Sequence, residues 1–365
     1  MRFRPLGHTG LRVSVVGFGG IPIQRISRAE AVAVVRLSLE RGINFFDTAI
    51  GYTDSEEKLG AALAGGLRNR AILATKTPKA SMAEAAEQLD TSLRRLQTDH
   101  VELYQLHNVG SLEDLERRTG PGSAYEAALA AKNAGKVLHI GVTTHKIPVG
   151  LAALKSGLFE SIMIPFSILE NEPAAELMPL AKRLGVGFIA MKPIGGGVIT
   201  HAALSLRYVL SQGADIVIPG MQSAAEVEEN AAVGDAHWAL NPEEMAALQA
   251  EADALGRSFC RRCDYCQPCA QGIRISTLLH APSVFLRSGW ARLATDKWAD
   301  LVATAATCTE CGECMARCPY GLRIPELLKE NVTLIRRKAD ELGISLVPPS
   351  ATVNSESAGA RPAPT

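Results

Sequence analysis

The first 259 of the 365 residues contain no cysteine, and all eight cysteines lie between 260 and 318. Such a chain cannot build a disulfide scaffold through its bulk, and the clustering reads as metal binding. Net charge is missing too: Lys plus Arg is 38 and Asp plus Glu is 38. That balance removes the electrostatic case for a nucleic-acid or membrane partner. No apolar run is long enough to span a bilayer. The opening MRFRPLGHTGLRVSVVGFGG lacks the apolar core of a signal peptide. A cytoplasmic protein is therefore expected. At 47 % apolar and 21 % charged residues, the composition fits a globular chain with one large and one small domain.

Eight short runs rich in Val, Ile and Leu fall at 13–20, 43–49, 71–76, 101–107, 137–143, 161–166, 185–193 and 214–220. Apolar on both faces, they read as buried parallel strands. Amphipathic stretches between them read as helices, among them 28–41, 81–96, 122–134, 171–184, 199–212 and 223–233, with Ser27 and Ser81 as caps. Eight strand–helix units predict an α/β fold, a (β/α)8 TIM barrel over 1–256. The alternative is an open doubly wound sheet, which the lack of G-x-G-x-x-G after the first strand disfavours. Residues 1–12, with the turn Gly7–His8–Thr9–Gly10, predict a hairpin that caps the barrel bottom. A further helix at 242–256 has Asn241 as its cap and Pro242 in its first turn. The cysteines fall in a small domain at 257–337. The tail 347–365, rich in Pro, Ser and Ala, reads as disordered.

In a parallel barrel the active site lies at the C-terminal strand ends. The second strand ends in Asp47, with Tyr52 in the loop beyond; the third ends in Lys76 and the fourth in His107. Singly, each has an ordinary reading as a loop cap, a rim aromatic, a solvated charge or a structural imidazole. Together they make chemical sense. A carbonyl that accepts hydride needs a proton on its oxygen, and a phenol with a pKa of about 10 is a poor donor at neutral pH. A nearby ammonium stabilises the phenolate, a carboxylate holds the ammonium, and an imidazole orients the carbonyl.

The motifs RPLGHTGLRVSVVGFGG, GINFFDTAIGY, ATKT, VELYQLHN and IPGMQSAAEVEEN resemble the aldo-keto reductase family over residues 1–255. The resemblance implies a catalytic tetrad of Asp47, Tyr52, Lys76 and His107, with Tyr52 as the acid. It implies NAD(P)H as hydride donor and a small-molecule carbonyl or alcohol as substrate. The cofactor contacts depart from the family pattern. Thr143–Thr144–His145 stands where many members have Ser-Asn, Met163 where a glutamine holds the carboxamide, and Met191 where an aromatic stacks on the nicotinamide. Gln222 and Glu226 occupy positions that are often basic in NADPH-specific members, which leans the choice to NADH. Asn230 closes the same motif and joins the cofactor contacts. Gly195, Gly196 and Gly197 let backbone N–H groups approach a phosphate, with Lys192 adding charge and Ser223 at a helix start. The plainer alternative is a tight glycine loop and an N-cap serine.

The cysteines form two runs, Cys260-x2-Cys263-x2-Cys266-x2-Cys269 and Cys308-x2-Cys311-x2-Cys314-x3-Cys318-Pro319. The second is the bacterial ferredoxin pattern of [4Fe–4S] ligands. Zinc competes, but zinc ribbons separate two pairs widely, whereas here four cysteines come in tight series. CAQGIRISTLLH (269–280) aligns with CPYGLRIPELLK (318–329), so Cys269 and Cys318 are equivalent in two half-units. A ferredoxin-like exchange then predicts one cluster on Cys260, Cys263, Cys266 and Cys318 and a second on Cys308, Cys311, Cys314 and Cys269. The alternative is that each run holds its own cube. The form CxxCxYCxPC resembles the iron–sulfur branch of the aldo-keto reductases, with a mostly helical ferredoxin-like domain.

Three functions follow. The barrel handles a carbonyl/alcohol couple while the clusters pass electrons, with ferredoxin or another redox protein as a possible partner. Alternatively the clusters are structural, or the barrel has lost nicotinamide binding and the chain is an electron-transfer module. The segment 108–121 is the longest loop expected near the catalytic mouth.

Overall fold

The computed structural model describes residues 1–346; the tail expected to be disordered, 347–365, lies outside the described residues. The N-terminal hairpin pairs β1 (Phe3–Pro5) with β2 (Arg12–Ser14) antiparallel. Its loop carries Gly7, whose φ of 52° and close packing against the backbone of 185–187 exclude a side chain.

Eight parallel strands follow in one sheet and in sequence order: β3 (Phe18–Gly19), β4 (Phe45–Asp47), β5 (Ile72–Thr77), β6 (Val101–Val109), β7 (Val137–Thr144), β8 (Ser161–Pro165), β9 (Gly187–Met191) and β10 (Ile216–Ile218). The ring closes through the parallel bridges Val16 to Val217 and Gly19 to Gly220. This is the (β/α)8 barrel. The run 13–20 is not one strand. Its start completes the hairpin, Ser14 Oγ turns back to donate to Val16 O at 2.7 Å, and only Phe18–Gly19 enters the barrel.

The strands alternate two burials. One face fills the barrel with Phe45, Ala74, Leu103, Met163, Ile189 and Ile216. The other meets the helices through residues such as Phe46, Leu73, Tyr104, Val142 and Phe188. Helix α1 (Arg28–Glu40) starts with a reciprocal cap between Ser27 and Glu30. Helices α2 (Ser55–Leu63) and α3 (Met82–Leu96) come next. Ser81 precedes α3 as expected, although its hydroxyl donates to Glu84. The segment 108–121 is not a plain loop: it holds helix α4 (Leu112–Thr119), where Ser111 Oγ accepts from the Asp114 N–H at 3.0 Å. The ring continues with α5 (Ala124–Asn133), α6 (Ile147–Ser156), α7 (Leu177–Leu184), α8 (Ala202–Ser211) and α9 (Ala224–Val233). Helix α10 (Pro242–Gly256) is capped by Asn241 as read, with the Glu244 N–H donating to Asn241 Oδ1 at 2.8 Å.

The chain divides into two compact units, Met1–Ala254 and the residues from Leu255 onward. The second is helical: α11 (Ile275–Ser288), α12 (Asp296–Ala305), the short α13 (Glu313–Ala316) and α14 (Ile324–Glu341). Its core joins Ile273, Leu278, Phe285, Leu322, Leu328 and Ile335. Among the described residues, no helix is long and apolar enough to cross a membrane.

Candidate functional site

The strand-end rule places four side chains together because β4, β5 and β6 are adjacent and in register. Lys76 Nζ donates to Asp47 Oδ2 and to Thr48 O, each at 2.6 Å, and both side chains of the ion pair are buried. Tyr52 rises from the turn between β4 and α2. Its hydroxyl hydrogen-bonds to Lys76, and the ammonium lies 5.0 Å from the phenol ring centre. His107, at the end of β6, stands edge-on to Tyr52 with ring centres 5.8 Å apart.

The electrostatics assign distinct states to these groups. Burial lowers the Lys76 pKa, but Asp47 and Tyr52 raise it by more, so it ends above the ordinary lysine value. Burial pushes the Asp47 carboxyl up, against the pull of Lys76 and Gln105. His107 is driven down to about 3 by burial, then by the charges of Lys76 and Arg118. It is a neutral imidazole at physiological pH, a hydrogen-bonding group rather than an acid. Arg118, on α4, also donates to the His107 carbonyl at 3.1 Å, so the expected loop supports the site as a helix.

The expected cofactor residues scatter more. Thr143 is buried on β7, where its hydroxyl accepts from the Asn108 N–H at 2.7 Å. Met163 lies beside it in register, inside the barrel filling, with Met191 packed against that cluster. Lys192 Nζ meets His145 Nε2 at 3.0 Å, and His145 Nδ1 meets Asn108 Oδ1 at 2.8 Å. A lysine ammonium only donates, so Nε2 accepts and Nδ1 carries the proton. Asn108 and Lys192 both hold positive φ, 55° and 54°, at strand ends. In the glycine loop the Gly195 N–H donates to Lys192 O and the Gly197 N–H to Ile194 O, each at 2.9 Å; Gly196 lies between them at φ 74°. Ser223 and Glu226 form a reciprocal cap on α9, and Glu226 also accepts from the Gln222 N–H at 2.6 Å. Arg25 lies within the field of that carboxylate. Asn230 is buried on α9.

In the second unit, Cys269, Cys308, Cys311 and Cys314 line one cavity together with Ile273, Ile275 and Leu328. Thiol donors and a largely apolar wall suit a thiolate-bound cluster, and of the four cysteines lining the cavity Cys269 belongs to the first run. Arg317 donates to the Pro268 carbonyl at 2.9 Å, a direct link between the segments that carry the two runs. The internal repeat is structural. Gly272 and Gly321 take φ 69° and 61°. Arg274 and Arg323 begin α11 and α14 at nearly the same angles, φ −81° ψ 74° and φ −76° ψ 70°.

Sequence reasoning missed Gln105, and it named His145 only as a departure from Ser-Asn, not as the link between Asn108 and Lys192. Gln105 donates to Asp47 Oδ1 at 3.4 Å. A polar residue in an apolar strand two positions before His107 was the available signal.

The Aldo/keto reductase family matches over residues 15–203, and a 4Fe-4S dicluster domain over 259–323. L-galactose dehydrogenase of Arabidopsis thaliana is 30 % identical over 304 residues, 69 % of this chain and 94 % of its own. The 6-dehydroglucose reductase of Novosphingobium aromaticivorans is 31 % identical over 245 residues, covering 59 % and 76 %. Among solved structures, the holo form of an aldo-keto reductase from Bacillus halodurans aligns with TM-score 0.61 at 28 % identity, covering 69 % and 96 %.

Proposed function

The chain belongs to the aldo/keto reductase family, and from that premise we propose an oxidoreductase that interconverts a carbonyl and an alcohol in the barrel and exchanges electrons through two [4Fe–4S] clusters. The observation that carries the chemistry is the buried Lys76–Asp47 pair hydrogen-bonded to Tyr52. Tyr52 gives its proton to the carbonyl oxygen. Lys76 holds the phenolate that remains, Asp47 keeps Lys76 charged, and neutral His107 orients the oxygen by a hydrogen bond. In alcohol oxidation the same phenolate takes the proton back.

A nicotinamide dinucleotide, when bound, supplies or accepts the hydride. Thr143, Met163, Lys192, the 195–197 glycines, Ser223, Glu226 and Asn230 are the residues proposed to hold it. The lean to NADH rests on Gln222 and Glu226, neither of them basic, at the start of α9, where the cap holds the Glu226 carboxylate and Arg25 lies in its field. Titration with NADH and NADPH decides between them. The names of the two sugar-acting relatives support a polyhydroxylated aldehyde, ketone or alcohol as substrate.

The cluster ligands are proposed as Cys260, Cys263, Cys266 and Cys318 for one, and Cys308, Cys311, Cys314 and Cys269 for the other. The shared cavity of Cys269 with the second run supports the exchange. When loaded, clusters carry single electrons, so a pair can take or give both electrons of a hydride. A ferredoxin-type carrier is the proposed outside partner. The test is anaerobic titration of the holoprotein with NADH while cluster absorbance is followed. Bleaching is expected. Turnover of L-galactose with spectrally silent clusters would leave them a structural role, and the absence of NADH and NADPH binding would sink the nicotinamide part.

A further inference from the structure

Gln105 sits on β6 between Lys76 of β5 and Gly141 of β7, and the row continues to Ser161 of β8. Lys76, Gln105 and Ser161 are each no more than 1 % exposed. Polar side chains inside an apolar barrel filling cost free energy unless each finds a partner. Lys76 takes Asp47 Oδ2 at 2.6 Å. Gln105 Nε2 reaches the other oxygen, Oδ1, at a long 3.4 Å. Gln105 Oε1 and Ser161 Oγ have no hydrogen-bond partner among the described residues. Both side chains flank Gly141: a Cβ there would lie 2.3 Å from Ser161 Oγ and 3.1 Å from Gln105 Cγ. Glycine at 141 leaves the space in which they approach.

We infer that Gln105 is a positioning residue for the Asp47–Lys76 pair, and that the Ser161 hydroxyl, directly or through one buried water, supplies the donor that Gln105 Oε1 requires. A hydroxyl on Oε1 locks the amide with its NH2 toward the carboxylate. Turned over, the amide would set oxygen against oxygen. The charged and titratable groups around Asp47 are Lys76 from β5, Tyr52 from the loop after β4 and neutral His107 from β6. Burial favours the protonated carboxyl, and the Lys76 and Gln105 contacts oppose it. Without Gln105, one carboxylate oxygen loses its side-chain donor, and Lys76 then faces a weaker counter-charge. The kinetic consequence rests on the tetrad roles proposed above; the structural claim does not.

The test uses full-length holoprotein labelled with [4-13C]aspartate, with Asp47→Asn to assign the Asp47 signal. In Gln105→Met the Asp47 carboxyl is expected to titrate about one pH unit higher, tenfold in proton affinity. Ser161→Ala is expected to shift it the same way by less, and serves if Gln105→Met fails to fold. A crystal structure is expected to show Ser161 Oγ, or one water bonded to it, within hydrogen-bond distance of Gln105 Oε1. An Asp47 titration unchanged in both variants overturns the inference. So does a crystal structure with Oε1 on another donor. With turnover, the acid limb of kcat should move with Asp47. No turnover at all in the wild type would count against the proposed function, while the titration still decides on Gln105.

Discussion

His107 makes the barrel's stability depend on acid in a calculable way. In the unfolded chain its pKa is about 6.5, and in the fold it falls to about 3 through burial and the charges of Lys76 and Arg118. Between those values the unfolded chain binds a proton that the folded barrel refuses, so acidification favours unfolding. The contribution is intact above the unfolded value and is lost progressively as pH falls toward 3. From pH 7 to pH 4.5 the two values give a loss of about 2.5 kcal/mol from this residue alone. His107→Gln keeps a hydrogen-bonding amide and removes the titration. Urea unfolding followed by far-UV circular dichroism at both pH values should show the wild type losing about 2.5 kcal/mol more than the variant. Equal losses would refute the buried neutral state. A limb in the wild-type kcat/KM profile near pH 6.5 that vanishes in His107→Gln would refute it independently.

Tyr52→Phe should lower carbonyl reduction by about 10²–10⁴-fold while nicotinamide binding, read by fluorescence titration, stays within twofold; undiminished turnover would remove Tyr52 as the acid. Cys269→Ser should disturb the electron paramagnetic resonance signal of the cluster on Cys308, Cys311 and Cys314, whose cavity Cys269 lines; a change confined to the other signal would favour unexchanged runs. Arg68 donates to Glu102 at 2.9 Å and to the carbonyls of Ala71 and His100. Arg68→Met leaves a mostly buried carboxylate with the Leu73 N–H and His100 but without its guanidinium, and should cost about 3 kcal/mol. An unchanged urea midpoint would contradict this.

The barrel was legible because each β run is apolar on both faces, and its strand ends pointed directly to Asp47, Lys76 and His107. What escaped depends on groups far apart in sequence. Nothing in VELYQLH says that Gln105 stands in register with Lys76. The chain from Asn108 through His145 to Lys192 exists only because three strand ends meet. Helix α4 escaped for a local reason: its eight residues are mostly charged, and the Ser111–Asp114 cap was the one clear sign of it. Glu226 shows two local signals competing for one carboxylate. Its position suggested a ribose contact, yet Ser223-x-x-Glu226 is also a capping box, and the cap holds it.

The paired half-units of the second unit bear on how iron enters. Cys269 ends the first run along the chain but lines the cavity of the second. On the proposed ligand sets, neither run is sufficient for its own cube, and the last cysteine of each run completes the cluster of the other. Loading is then concerted. Partially reconstituted samples should sort into chains with both clusters and chains with none, with little of a one-cluster species, as native mass spectrometry would count them.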